Sequence, residues 1–318
     1  MARSGKSISA LGIWIRAQSA ALLLSLAACG PGHPPAPRAP VPTGLYHGGD
    51  AGGSRAADHV MLTIPEGPYT AGSTPEERDQ AYADYRNSAH SNAAQKGHWF
   101  AREEPRHHAT LTPFRIDLTE VTNAAYAEFV ADTKAPAPTM DRATWKKQGF
   151  SQDYDTEVVR MIWKNDQPPA GREDHPVVLV TWAQARGYCA WRGAVVGEAR
   201  RLPTAAEYEK AARGQVGLVY PWGNDWDPSK LNTQASGPDD TMAAGSFPDG
   251  ASPYGMLDAA GNVFQWTSTP WPYGKGRMTV KGSAWDDFGG VGRGASRHGR
   301  RATIRHVIVG FRCAADAP

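Results

Sequence analysis

Three strings decide the reading of this chain: Arg201-Leu-Pro-Thr-Ala-Ala-Glu207, Tyr220-Pro-Trp-Gly-Asn224 and Tyr254-Gly-Met-Leu-Asp-Ala-Ala-Gly-Asn-Val-Phe-Gln-Trp266. In the first, Thr204 and Glu207 have capping-box spacing, so each side chain takes a backbone N–H at the opening turn of a helix. That helix is expected to run to Gly214. In the second, Pro221 presets φ early in a turn and Gly223 accepts a positive φ, while the rings bury the turn. The third reads as a turn built on Gly261 and Asn262, with oxygen-bearing Asp258 and Gln265 on either side. The second and third describe irregular backbone anchored by large aromatics.

Upstream, Thr181-Trp-Ala-Gln184 is a second capping box, with Trp182, Ala185, Tyr188 and Cys189 at helical spacing. Thr122 caps a further helix with an apolar face of Tyr126, Phe129 and Val130. His59 to Tyr69 alternates like a strand closed by a Pro/Gly turn, and Ala109 to Leu118 reads as a second strand. Pro75 to about Gly97 is polar and lacks apolar periodicity, which suits a surface helix or a mobile insertion. Asp132 to Asp174 carries Trp145, Phe150, Tyr154 and Trp163 without a clean period, as a long loop or short helices would. Beyond Gly214 the chain is mostly turns and short strands.

The chain has 318 residues, 41% hydrophobic and 21% charged, enough for one substantial domain or two small ones. A formal net charge of +2 argues against a nucleic-acid partner. With 11 Trp and 34 Gly, the composition suits a loop-rich fold. The N-terminus reads as a targeting segment: Arg3, Lys6 and Arg16 precede a short apolar core from Ala17 to Ala28. Its end, Leu26-Ala-Ala-Cys29-Gly30, resembles a bacterial lipobox, in which Cys29 takes the lipid. Gly30 after that cysteine points to the outer membrane, facing the periplasm. No apolar run reaches the roughly 18 residues needed to span a bilayer. The expected organisation is a lipoprotein signal peptide at 1–28, a Pro/Gly-rich tether at 29–57 and one domain at 58–318, with insertions at about 75–102 and 132–174. With Cys29 assigned to lipid, Cys189 and Cys313 remain. In an exported protein they are most simply one disulfide, the competing readings being two buried thiols or a redox pair.

Together with Gly310-Phe-Arg-Cys-Ala314, Pro105-Arg-His107, Asp117-Leu-Thr-Glu-Val-Thr-Asn123 and Pro176 to Trp191, the three strings resemble the formylglycine-generating enzyme, or sulfatase-modifying factor, family, from about residue 59 to the C-terminus. The resemblance implies an α+β fold, the family's variant of the C-type-lectin-like architecture, with low regular secondary structure: a few short strands and two or three helices. It implies that Cys189 and Cys313 form a disulfide. It also implies a calcium site at Asp258, Gly261, Val263 and Gln265, weakened because Gln265 stands where a Glu is frequent; the competing reading is a turn without metal. A less secure second site would draw on Asn232 and Asp240.

Active members of the family oxidise a cysteine in a client sulfatase with copper held by two thiolates. Here the matching segment is Val280-Lys-Gly-Ser-Ala-Trp-Asp-Asp287, and the two cysteine positions fall at about Asp287 and Gly292. Cu(I) needs soft ligands, which carboxylate and glycine are not. Copper is therefore not expected, and no catalytic residue is assigned. His298 and His306 show no metal-ligand spacing and are expected at the surface. The basic run Arg293, Arg297, Arg300, Arg301 and Arg305 suits buried Arg–carboxylate pairs or, more sharply, a groove for an acidic client. The expected function is a degenerate, membrane-tethered family member acting as a binding or accessory module. It would recognise a periplasmic protein, peptide or glycan in a cleft floored by Trp285, Asp286 and Asp287. The alternative is an oxidoreductase acting on a protein or small molecule, formylglycine generation included.

Overall fold

A computed structural model describes residues 60–318. The signal peptide, Cys29 and the tether expected from the sequence lie outside the described residues. Short strands build three sheets. The first has the order β1 (Met61–Ile64), β4 (Phe114–Asp117), β10 (Ala314–Asp316), β5 (Arg200–Arg201), all antiparallel. The second pairs β2 (Gly67–Ala71) with β3 (His107–Leu111). In the third, β8 (His298–Arg301), β7 (Arg277–Lys281) and β6 (Phe264–Pro270) are antiparallel, and β9 (Val309–Gly310) joins β6 in parallel. The stretch from Ala109 to Leu118, read as one strand, is two. Pro113 lacks a ladder N–H, so the chain breaks there and β3 and β4 enter different sheets.

Six α-helices are present among the described residues, more than the two or three expected. Those marked by caps in the sequence are α3 (Asn123–Thr133), α5 (Trp182–Val196) and α6 (Ala205–Arg213). The Thr122, Thr181 and Thr204 side chains each accept the expected backbone N–H, and both capping boxes close. The additional helices fall in the two insertions. Over 75–102 the chain forms α1 (Pro75–Ala89), opened by a third box from Thr74 and Glu77, and the single turn α2 (Ala93–Lys96). Only Ala81 and Tyr85 of α1 are buried, so its sequence carries almost no periodic signal. Within 132–174, α4 (Arg142–Gln148) is followed by a π turn at Tyr154–Val158 and a 3-10 turn at Val159–Met161.

The main core packs α3 and α5 against the third sheet. Tyr126 and Tyr188 stack at 5.6 Å, Phe311 closes on both, and the buried Trp266 Nε1 donates to Val180 O at 3.1 Å. A second cluster joins Ile64, Phe114 and Ile116 to Tyr208 of α6 and Met256. Cys189 of α5 is bonded to Cys313, which precedes β10. Charge is also buried: Glu209 of α6 takes Arg213 at 2.8 Å, Lys281 of β7 at 3.0 Å and the Gly72 N–H at 2.8 Å. A buried carboxylate with three donors is satisfied; with one removed it is an uncompensated charge. No helix among the described residues is long and apolar enough to cross a membrane.

Candidate functional site

A cavity of about 580 Å³ opens where the third sheet meets both insertions, within the size range of small-molecule sites. Tyr85 of α1 and the segment Gly97–Trp99 with Arg102 form one wall; Gly149–Gln152 forms another. The sheet contributes Phe264, Arg277 and His298 to Arg300, and Trp271 and Arg297 stand next to its strands. Asp286, Asp287 and Phe288 come from the turn that follows β7. The capping box of α1 thus fixes Tyr85, which meets Trp99 and Phe288 edge-on at 5.3 and 5.7 Å.

Asp286 and Asp287 both line this cavity, whereas Trp285 does not. Trp285 is 1% exposed and packs in the main core, with the Arg160 guanidinium 5.5 Å from its ring. Gly292 is also buried; a Cβ there would meet Ser283 Oγ at 3.1 Å. Asp286 accepts from Gln152 Nε2 at 2.5 Å, and Asp287 accepts from the Ala284 N–H at 2.9 Å. Burial pushes the Asp286 carboxyl up, opposed by the Gln152 bond. Burial, and then the neighbouring Asp286 charge, holds Asp287 well above the usual carboxylate range.

His298 and His306 correct the expectation of surface histidines: both line the cavity, and His306 is 3% exposed. Burial, then the Arg300 charge, lowers the His298 pKa to about 3 and that of His306 well below its ordinary value. Both rings are therefore neutral, and they pack on aromatics, His306 at 3.8 Å from Phe150 and His298 at 5.2 Å from Phe264. The basic run divides. Arg293 pairs with the buried Glu103, Arg297 pairs with Glu104, and Arg305 donates to Leu179 O at 2.9 Å. Arg300 faces the cavity beside the two aspartates, and its Nε finds no acceptor among the described residues.

Copper does not fit these residues. The matching positions hold Asp287 and the buried Gly292, and the two cysteines among the described residues are bonded to each other.

The turn read as a calcium site has a different occupant at one of its oxygens. Gln265 Nε2 donates to Asp258 O at 2.9 Å, and Gln265 Oε1 accepts from Arg312 Nε at 2.5 Å. Arg312 also donates to the carbonyls of Asp117, Leu118, Leu257 and Asp258. Gly261 has φ +83, and its Cβ would meet Asn232 O at 2.7 Å, while Val263 is fully buried. Beside Asp258 lies Glu120, 1% exposed: no nitrogen donor reaches either of its carboxyl oxygens, and its partner is the Asp258 carboxyl, to which it hydrogen-bonds when one of the two is protonated. Burial, and then the Asp258 charge, drives its pKa well up. A shared proton satisfies such a pair of buried carboxyls, as a hard cation does; Glu120 and Asp258 are the oxygens available to calcium, whereas Gln265 is taken by Arg312. Neither Glu120 nor Arg312 was assigned a role from the sequence; only the burial of their surroundings reveals them. At the second expected site, the Asp240 carboxylate is turned onto Arg172 and, at 3.4 Å, Arg160, while Asn232 Oδ1 is left without a partner. No group of three or more His, Cys, Asp or Glu converges as a metal site among the described residues.

Comparison with known proteins agrees with this architecture. The chain matches the Sulfatase-modifying factor enzyme 1-like domain over residues 52–317. It is 34% identical to the inactive C-alpha-formylglycine-generating enzyme 2 of Bos taurus, over 68% of this chain and 81% of that one. It is 31% identical to the serine/threonine-protein kinase pkn1 of Chlamydia caviae, over 67% of this chain but only 34% of the kinase. Among solved structures, PvdO from Pseudomonas aeruginosa superposes with a TM-score of 0.62 at 21% identity, covering 81% of this chain and 94% of PvdO. CarF gives 0.53 at 20% identity, covering 81% and 98%; at such identities these two likenesses speak to the fold alone. On the domain match and on the identity to the bovine protein, the chain belongs to the sulfatase-modifying factor, or formylglycine-generating enzyme, family.

Proposed function

We propose that this family member works without copper, as a binding or accessory module held at the cell envelope. The observation that carries the reading is the chemistry at the copper position. Asp287 stands in the cavity, Gly292 is buried against Ser283, Ala260 and Leu231, and no thiol among the described residues is free. The designation of the bovine relative as inactive supports the same conclusion. In this reading lipid on Cys29 anchors the chain to the outer membrane, facing the periplasm, and the Pro/Gly-rich tether carries the domain to its partner. A periplasmic protein, peptide or glycan enters the cavity between the two insertions, where aromatic rings and charged groups alternate along the wall. Calcium, where bound, sits at Glu120 and Asp258 and braces the turn behind the third sheet rather than meeting the ligand.

The test uses the full chain in its native membrane. Affinity capture should recover a stable partner. The purified protein supplied with Cu(I) and a sulfatase-derived cysteine peptide should neither take up oxygen nor yield an aldehyde. Stoichiometric copper uptake with conversion of the peptide thiol to an aldehyde would overturn the reading.

A further inference from the structure

The cavity holds charges of both signs whose partners are incomplete, and a ligand must complete them. Four guanidiniums line it. Arg297 is paired with Glu104 and donates to Arg102 O, and Arg102 lies 5.9 Å from the Tyr273 ring. Arg277 Nη1 has only a backbone acceptor, Gly299 O at 3.0 Å. Arg300 leaves its Nε without an acceptor and lies near enough to Arg277 for the two charges to repel. An incompletely paired guanidinium couple calls for a carboxylate, which two planar forks bind well. The negative counterpart is Asp286 and Asp287. Gln152 satisfies one oxygen of Asp286, while the other has no donor. His298 and His306 line the same space as neutral rings and add no charge. Asp287 and Asp286 already offset part of the Arg300 charge through space, but Arg300 Nε and Asp286 Oδ1 each lack a hydrogen-bond partner, so a ligand of one sign alone would leave one of them unsatisfied.

Resting on the reading of this cavity as a binding site, we propose that it takes a zwitterion: an unblocked amino acid or short peptide, its carboxylate on Arg277 and Arg300 and its ammonium on Asp286 and Asp287. The body of the ligand lies against Trp99, Trp271 and Phe288, which offer apolar faces inside the same walls.

The probe is the dipeptide phenylalanylalanine, titrated calorimetrically into the full chain alongside its N-acetyl, C-amide and doubly blocked forms. The unblocked dipeptide is expected to bind, and each single block to weaken it by roughly tenfold or more, as loss of one charge-assisted contact requires. Arg300→Gln should abolish the penalty of amidation while keeping that of acetylation, and Asp286→Asn should do the reverse. Should Arg300→Gln fail to fold, Arg277→Gln takes its place. Equal binding of the acetylated and free dipeptides would show a site for anions alone. Equal binding of the amidated and free forms would show one for cations alone. Either result overturns the proposal, as does no binding of the unblocked form at millimolar concentration. Failure of the broader reading is a separate signal, copper-dependent oxygen uptake, and does not depend on the dipeptide titrations.

Discussion

Single side chains carry the two sharpest consequences. Asp117 is 7% exposed, and its folded pKa is about 6. Burial raises it, against the Cys313 N–H bond and the Arg200 and Arg312 charges. The unfolded value is about 3.9. Between those two pH values the folded state binds more protons than the unfolded one, so stability is full below about pH 4 and is lost as the pH rises through 6. Asp117→Asn should flatten that part of the stability–pH curve, by on the order of 3 kcal/mol across the interval, read from urea midpoints at each pH. Glu120 supplies the second consequence. Calcium at about a hundred times its Kd should stabilise the native chain by about 2.7 kcal/mol, seen as a rise in Tm that chelator reverses. Glu120→Gln should lose that response; a Tm indifferent to calcium in the native chain would remove the metal from the turn.

At the scale of the element, Thr204→Ala opens the box at the head of α6, where Thr204 Oγ1 accepts the Glu207 N–H at 3.1 Å. A loss of about 1 kcal/mol in denaturant unfolding is expected. The three capped helices were legible from sequence because a cap is local chemistry: one threonine hydroxyl at the head of each, joined in α5 and α6 by a carboxamide or carboxylate three residues on. Helix α1 carries the same box at Thr74 and Glu77, yet it was read only as a surface helix or mobile segment. Its buried face is two residues wide, and periodicity cannot register so narrow a stripe. The cavity was half legible for a related reason. Asp286 and Asp287 lie in the turn after β7 and were placed by resemblance to the family's copper segment, but Trp285 beside them packs in the core. The wall residues Tyr85, Trp99 and Phe150 come from the two insertions, His298 from β8 and His306 from the loop between β8 and β9. Nothing local in the chain says that these distant segments meet.

At the scale of the whole molecule, the bond between Cys189 and Cys313 spans 124 residues of chain. It encloses α6, the third sheet and the Asp258 turn. Replacing both cysteines by serine should cost roughly 4–5 kcal/mol on chain-entropy grounds, measured as a shift in the denaturation midpoint against the oxidised protein. The first sheet holds a further consequence. Strands β1 and β10, the opening and closing strands of the domain, flank the same short strand β4. Entry and exit therefore lie within about 15 Å of each other, by strand spacing and rise. A unit so arranged asks its host for a single point of attachment. It can be hung on a leash or spliced beside a catalytic neighbour, as the one-third share of the chlamydial kinase suggests, without its interior being redrawn.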